Sequence, residues 1–120
     1  MRLASALLYV KDLAALTAFY RALLDTAPVN ESPGWVEFPA GAATLGLHAI
    51  PGPIAEQIVI STPPEPREET PIKLIFAVPD LAQERARLAA LGITLIERPW
   101  GACDGMDPEG NIFTITQSPA

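Results

Sequence analysis

The sequence holds one histidine, His48, and one cysteine, Cys103, which are the side chains best suited to acid–base or nucleophilic chemistry near neutral pH. His48 is the one candidate catalytic residue, but a general base needs an acidic partner and a substrate proton within reach, and the sequence indicates neither. We interpret it as a polar residue at a strand end, with ligand contact as the alternative. Cys103 would need a neighbouring cation or base to become reactive. Arg98 is the one cation close by in sequence, so we expect an unreactive thiol.

One lysine, two tryptophans and two carboxylates are the side chains best suited to hold a small ligand. Lys73 lies on an apolar strand, where it either anchors an anionic ligand group or extends its ammonium back to solvent. Trp35 and Trp100 offer flat surfaces that stack on planar ligands, with core or dimer packing as the alternative. Glu37 and Asp104 would attract a cationic ligand, although we interpret them first as solvated surface carboxylates. No Ser-His-Asp arrangement, phosphate-cradling glycine loop or metal-type cysteine cluster occurs.

The composition of the chain excludes several kinds of partner. Its net charge is −6 and it has no basic stripe, so phosphate-rich partners would be repelled and we reject nucleic-acid binding. Only 18% of the residues are charged, which leaves room for a buried subunit interface. The apolar stretch 3–10 is too short for a secretory signal, and no run approaches the roughly 20 residues that cross a bilayer. A lone cysteine suits a reducing compartment, so we expect a cytoplasmic protein without membrane contacts.

The elements that must position these side chains come in two copies. The segment Leu7–Leu13, an apolar run followed by an Asp, returns as Ile75–Leu81, 68 positions later. The same offset pairs Leu23 with Leu91, Leu45 with Phe113, and Leu47 with Ile115. The sequence therefore predicts two copies of one small β/α module, with a ligand site between them.

Each copy is predicted to contain one helix followed by short strands. Asp12 and Asp80 are good N-cap residues, and apolar residues recur behind each of them at helical spacing. The strands expected around these helices are 3–10, 28–31, 35–38 and 43–50 in the first copy, and 72–78, 93–97 and 111–117 in the second. We expect 99–105 to be irregular. Each half is interpreted as a β-α-β-β-β module.

The chain is thus expected to form one domain built from two modules and a connector. Module 1 covers 1–50 and module 2 covers 72–120. The connector, 51–71, carries six of the 13 prolines and is expected to be extended, although 57–61 could form a short strand.

Three motifs resemble those of a known superfamily. Val10-Lys11-Asp12-Leu13 and Val78-Pro79-Asp80-Leu81 each start a helix, and Asp107-Pro108-Glu109-Gly110-Asn111 precedes the last strand. Together with the paired modules they resemble the vicinal-oxygen-chelate superfamily of glyoxalase I, extradiol dioxygenases, fosfomycin-resistance enzymes and bleomycin-resistance proteins. Pro99-Trp100-Gly101 is similar to a segment of the bleomycin-resistance branch. The resemblance implies an α+β fold whose tandem modules form a cupped mixed sheet, completed in a homodimer.

The resemblance also implies where a divalent metal would be held. Family enzymes place its ligands on the first and last strands of the modules, which correspond here to Ser5 and Lys73, and to Gly46 and Thr114. Such metals prefer imidazole or carboxylate ligands, whereas these positions offer two neutral hydroxyls, no side chain and an ammonium. We therefore expect neither a metal nor another cofactor.

The function predicted from these observations is metal-independent binding of a small organic molecule, similar to the sequestration of a drug by bleomycin-resistance proteins. The acidity of the chain and its tryptophans suit a cationic, aromatic ligand. Strand alternation gives the ligand-binding residues, which are Ser5, Tyr9, Trp35, Glu37, His48, Lys73, Trp100 and Thr114. One alternative is a metal-dependent lyase, isomerase or dioxygenase in which His48 and Glu37 are displaced ligands. Another is a non-catalytic interaction subunit whose cavity has closed.

Overall fold

A computed structural model of the chain describes residues 1–119, which form two compact units. Unit 1 is Met1–Ser61 and unit 2 begins at Thr62. Each unit contains one long helix and one four-stranded mixed sheet. Within the described residues, no helix is long and apolar enough to cross a membrane.

Unit 1 places its parallel strand pair at one side of the sheet and its hairpins at the other. Its elements are β1 (Ser5–Val10), α1 (Leu13–Leu24), β2 (Asn30–Ser32), β3 (Trp35–Ala40), β4 (Ala43–Ala49) and α2 (Gly52–Ala55). The strand order is β1-β4-β3-β2, in which β1 and β4 run parallel and the other neighbours run antiparallel. A parallel pair needs a long connection between its strands, and α1 with the following hairpin supplies it.

The helix of unit 1 forms where the sequence supplies both an end signal and an apolar stripe. The carboxylate of Asp12 accepts a hydrogen bond from the backbone N–H of Ala15 at 3.0 Å, which satisfies one unpaired donor of the first turn. Leu16 and Tyr20 are fully buried against the sheet. Asp25 ends the helix with a left-handed backbone, φ 50°.

Unit 2 repeats this arrangement with shorter strands. Its elements are β5 (Leu74–Val78), α3 (Leu81–Ala90), β6 (Ile96–Glu97), β7 (Cys103–Met106) and β8 (Ile112–Gln117), in the order β5-β8-β7-β6. The Asp80 carboxylate accepts from the Gln83 N–H at 3.0 Å, so the second helix is capped like the first. Gly92, with φ +80°, follows the helix in the left-handed conformation that glycine adopts readily.

The strand registers of the two units confirm the predicted α+β fold of tandem modules. In unit 1, Leu7 of β1 lies opposite Gly46 of β4. In unit 2, Ile75 of β5 lies opposite Thr114 of β8, so both partners are displaced by the same 68 residues. The repeat seen in the sequence is therefore a repeat of strand pairing.

The prediction that residues 99–105 are irregular was wrong for 103–105, because β7 occupies Cys103–Met106. The strand is stabilised by its partner: Gly105 pairs with Phe113 of β8, and the phenyl ring covers the place of the missing side chain. A Cβ at Gly105 would lie 2.7 Å from a ring carbon of Phe113 and 2.9 Å from Leu95 Cδ2. Gly and Trp residues made this segment look irregular in the sequence. It forms a strand because Phe113, which is distant in the chain, packs against Gly105.

Residues 51–71 also differ from the expected extended connector. The short helix α2 forms at Gly52–Ala55, where Pro53 lies in the first turn, and 57–61 forms no strand. Further along, Arg67 forms an isolated parallel bridge with Asn111, and its N–H donates to the Gly110 carbonyl at 2.8 Å. This bridge attaches the end of the segment to the turn between β7 and β8.

Candidate functional site

A cluster of hydrogen-bonded polar side chains surrounds Asp104 in unit 2. The side chain of Asp104 is only 7% exposed. Its Oδ1 accepts from the Thr114 hydroxyl at 2.6 Å and from Lys73 Nζ at 3.2 Å, and its Oδ2 accepts from Arg98 Nε at 2.8 Å. A buried carboxylate needs such partners, and here one hydroxyl and two cations provide them.

Local structure explains how these four side chains meet. Asp104 and Thr114 are direct register partners on β7 and β8, so their side chains lie on the same face of the sheet. Lys73 directly precedes β5, the strand on the other side of β8. Arg98 is held by a tight turn in which its N–H donates to the Ala102 carbonyl at 2.8 Å.

The charge state of Asp104 follows from these contacts. Burial by itself would raise the pKa of Asp104. Hydrogen bonds from Thr114, Arg98 and Lys73, together with the positive charge of Lys73, outweigh burial and hold that pKa below its ordinary value of 3.8. The carboxylate is therefore ionised at neutral pH, and its negative charge is shared between the two cations.

A cleft of about 450 Å³ opens beside this cluster. Its lining residues are Arg67, Glu68, Thr70, Lys73, Arg98, Trp100, Asp104 and Ile112. Trp100 is 70% exposed, although tryptophan is a residue type that is usually well covered. The Lys73 and Arg98 side chains are 41% and 35% exposed, so both are partly desolvated and still reach solvent. The cleft thus combines the exposed ring of Trp100 with the charged side chains of the Asp104 cluster.

Unit 1 carries a different arrangement, a row of aromatic rings across its sheet. Tyr9, His48 and Trp35 are successive register partners on β1, β4 and β3. The His48 ring centroid lies 5.5 Å from that of Tyr9 and 5.7 Å from that of Trp35. His48 Nδ1 lies 2.9 Å from the Ala49 carbonyl oxygen. Because a carbonyl only accepts, Nδ1 is the donor in this bond, and Nε2 of the neutral ring would be an acceptor.

The neighbouring register row of unit 1 is apolar at its centre. A Cβ on Gly46 would lie 3.0 Å from Leu7 Cδ1 and 3.6 Å from the Trp35 indole, which therefore occupy the space above this glycine. Glu37, the register partner of Gly46, accepts from Asn30 Nδ2 at 3.2 Å. Glu37 is thus tied to β2 and lies half-buried beside the aromatic row.

The structure places the predicted site residues in two groups, one in each unit. Lys73, Trp100 and Thr114 belong to the cleft and its charged cluster. In unit 1, Tyr9, Trp35 and His48 form the aromatic row, and Glu37 lies at the neighbouring register position. Ser5 lies at the start of β1, where its hydroxyl donates to the Ala6 carbonyl at 3.3 Å.

Sequence reasoning misjudged the centre of the unit 2 cluster. Asp104 was interpreted first as a solvated surface carboxylate, which is wrong, because it is buried and receives three hydrogen bonds. Arg98 was considered only as a neighbour of Cys103, and Arg67 was not predicted as a site residue. Cys103 is buried, and strand alternation points it to the face opposite Asp104, which favours an unreactive thiol. The one local signal was Arg98, six residues before Asp104, whereas Lys73 is 31 residues away and meets Asp104 only in the folded structure.

The residues at the positions of the implied metal ligands do not fit a divalent ion. Thr114 and Lys73 both donate to Asp104, and an ammonium repels a metal cation. Gly46 has no side chain to offer, and leucine and tryptophan cover it. Within residues 1–119, no group of three or more His, Cys, Asp or Glu side chains could hold a metal ion.

The fold and these sites define a glyoxalase-type domain. The chain belongs to the glyoxalase-like domain family, whose model matches residues 5–116, and hence to the vicinal-oxygen-chelate superfamily. No curated protein matches its sequence.

Solved structures of several relatives share the fold. Lactoylglutathione lyase from Agrobacterium tumefaciens is 26% identical with a TM-score of 0.68, over 98% of this chain and 93% of that one. The bleomycin resistance determinant encoded on transposon Tn5 is 20% identical with a TM-score of 0.67, over 100% of both chains. An integron cassette protein from V. cholerae is 20% identical with a TM-score of 0.72, over 99% of this chain and 96% of that one.

Proposed function

We propose that this protein binds a small organic molecule without a metal ion and without changing it chemically, in the manner of a bleomycin-resistance protein. The observation that carries the proposal is the Asp104 cluster. At the positions where the superfamily resemblance implies metal ligands, an ammonium and a hydroxyl are already committed to a buried carboxylate. A binding role needs only the cleft, whereas a metal-dependent reaction needs ligands that these positions do not supply.

The cleft of unit 2 has the properties of a small-ligand site. Its volume of about 450 Å³ falls within the usual range for small-molecule pockets, roughly 300–1,000 Å³. Trp100 supplies a wide apolar surface, and the charged groups beside it would fix the orientation of a ligand. The aromatic row of unit 1, whose neighbouring rings are tilted by 56° and 85°, provides further aromatic surface, with Glu37 as its acidic neighbour. We infer that the ligand has a planar part.

Metal analysis of the purified protein tests the metal-independent part of the proposal. We expect near-zero divalent metal in untagged protein prepared without chelators, including after incubation with Zn²⁺, Mn²⁺, Ni²⁺ or Fe²⁺. Glu37→Gln with His48→Gln is the control variant, since it removes the two displaced ligands of the enzyme hypothesis. One tightly held metal per wild-type chain that this double variant loses would overturn the proposal in favour of a metal-dependent lyase, isomerase or dioxygenase.

A ligand screen tests the binding part. Fluorescence of Trp35 and Trp100 is expected to respond to planar aromatic compounds, and Trp35→Phe and Trp100→Phe assign the response to one unit. No response to anionic, cationic or neutral members of an aromatic panel would favour the interaction subunit whose cavity has closed.

We also propose that two chains associate and that the protein works in the cytoplasm. Exposed apolar side chains on the first strand of each unit support association, since Tyr9 and Ile75 are each 65% exposed. The lone, buried Cys103 supports a reducing compartment. Light scattering is expected to give a dimer at micromolar concentration, and a monomer there would contradict this assembly.

A further inference from the structure

The Asp104 carboxylate of the unit 2 cleft is not available to a cationic ligand. Asp104 accepts three hydrogen bonds and has almost no exposed surface. A cation entering the cleft would have to displace Lys73 or Arg98, two groups of its own sign. The acidic residue at this site therefore orients the cations of the protein and does not recruit one from solution.

The cations of the cleft keep unused hydrogen-bond donors. Lys73 gives one of its three ammonium donors to Asp104, and Arg98 gives only Nε, so its two terminal nitrogens have no partner among the described residues. Arg67, which also lines the cleft, forms no ion pair within residues 1–119. A guanidinium with both terminal nitrogens open suits an oxyanion, which it can bind with two parallel hydrogen bonds.

The charge of the cleft is opposite to that of the whole chain. Three cationic and two anionic side chains line it, in a protein of net charge −6. Asp104 is paired within the cluster, so Glu68, an exposed residue at the rim, is the only other acidic lining group. A local cationic surface on an acidic protein attracts small anions selectively, because the field of the rest of the chain repels large polyanions.

We propose that the ligand of this cleft is an organic acid with a planar apolar part: its anionic group is bound by Lys73, Arg98 and Arg67, and its planar part stacks on Trp100. The inference rests on the proposed small-molecule binding and names the chemical class of the ligand. It replaces the cationic ligand that the acidity of the sequence favoured. Asp104 acts as a positioning residue, because it fixes the ammonium and the guanidinium and does not touch the ligand.

A matched pair of probes tests the sign of the ligand charge. 1-Naphthylacetate and 1-naphthylmethylammonium carry the same ring system with opposite charges. Binding is followed by the NMR signal of the Trp100 indole N–H, which Trp100→Phe identifies. The acetate is expected to shift this signal with a dissociation constant of about 1 mM or below, and the ammonium to bind at least tenfold more weakly. 1-Naphthyl phosphate and inorganic phosphate distinguish a carboxylate site from a phosphate site.

Variants of the cationic residues test the assigned contacts. Arg67→Gln leaves the Asp104 cluster intact and is expected to weaken 1-naphthylacetate binding about threefold. Arg98→Gln and Lys73→Met are expected to weaken this binding tenfold or more. Lys73→Arg keeps the positive charge and is expected to retain most of the wild-type affinity. Arg85→Gln on α3, whose partner is Glu97, and Lys11→Met in unit 1 are the matched controls and should leave the affinity unchanged.

The outcomes separate this inference from the proposed function. Tighter binding of the ammonium, or an acetate affinity unaffected by Arg67→Gln and Arg98→Gln, would overturn the anionic ligand while small-molecule binding stands. Absence of binding by both naphthyl probes and by the wider aromatic panel would overturn both.

Discussion

The two units of this protein have the same strand pairing and opposite surface chemistry. In unit 1, the register row through Leu7, Gly46 and Glu37 is apolar at its centre, and an aromatic row lies beside it. In unit 2, the corresponding row runs through Ile75, Thr114 and Asp104 and carries a charged network. Glu37 and Asp104 therefore occupy equivalent strand positions, one bonded to a neutral amide and the other to two cations.

This difference shows that the two units share the same strand pairing, while the side chains at equivalent positions differ in their chemistry. Gly46 and Thr114 lie at equivalent positions, yet one is covered by Leu7 and Trp35 and the other donates to a carboxylate. The fold therefore sets the positions of the side chains, and a few residue types at those positions determine the chemistry of each unit. Variants of corresponding features in the two units measure how far the units have diverged.

The largest effect is expected at a pair of glycines. Gly105→Ala should lower the free energy of unfolding by about 2 kcal/mol, because its Cβ would overlap the Phe113 ring and Leu95 in a packed core. Gly46→Ala should change it by less than about 1 kcal/mol, because the closest atom is the flexible end of Leu7, and alanine suits a strand better than glycine does. Urea denaturation measures both values. Equal effects would show that the two sheets are packed equally tightly.

The next largest effect is expected at the equivalent carboxylates, Asp104 and Glu37. Asp104→Asn should destabilise the protein by about 1–2 kcal/mol. The loss is smaller than for a fully buried ion pair, because the partly exposed Lys73 and Arg98 can be hydrated once the carboxylate is removed. Glu37→Gln should cost about 0.5 kcal/mol or less, since its one bond to Asn30 survives with an amide. Thermal unfolding of the two variants tests this ranking. A larger loss for Glu37→Gln would contradict the structural role given to Asp104.

The helix caps should show equal effects in the two units. Asp12→Ala and Asp80→Ala each remove one carboxylate bond to a backbone N–H, of 3.0 Å in both helices. Each change should destabilise by about 1 kcal/mol. Asp12→Asn and Asp80→Asn are the controls and should retain most of the stability. Markedly unequal losses in denaturant unfolding would mean that the two repeats depend on different local signals.

The smallest effect is a dependence of stability on pH. The pKa of Asp104 is lowered in the folded protein, so its contribution to stability is complete above the ordinary value of 3.8 and is lost as pH falls through the folded pKa. The free energy of unfolding of the wild type should therefore decrease more steeply below about pH 4 than that of Asp104→Asn. Parallel curves for the two proteins would show that Asp104 is not stabilised in its ionised form.

Much of the fold could be predicted because its signals are local. Asp12 and Asp80 mark the helix starts, and the offset between Leu7 and Ile75 gives the repeat. The strand β7 could not be predicted in this way, because Gly105 is poor in a strand until Phe113 covers it. Of the cleft, Lys73 was recognised as unusual on an apolar strand, and Trp100 as a flat surface that stacks on planar ligands.

The sequence by itself determined the repeated pattern of caps, apolar runs and strand pairing, since residue type and spacing along the chain are sufficient for these. It also showed that Ser5, Gly46, Lys73 and Thr114 are poor metal ligands. Only the tertiary structure decided that Asp104 lies buried between Thr114, Lys73 and Arg98. Burial and ion pairing depend on contacts between segments far apart in the chain. These contacts determine whether a carboxylate attracts a cation from solution or, like Asp104, positions two cationic side chains of the protein.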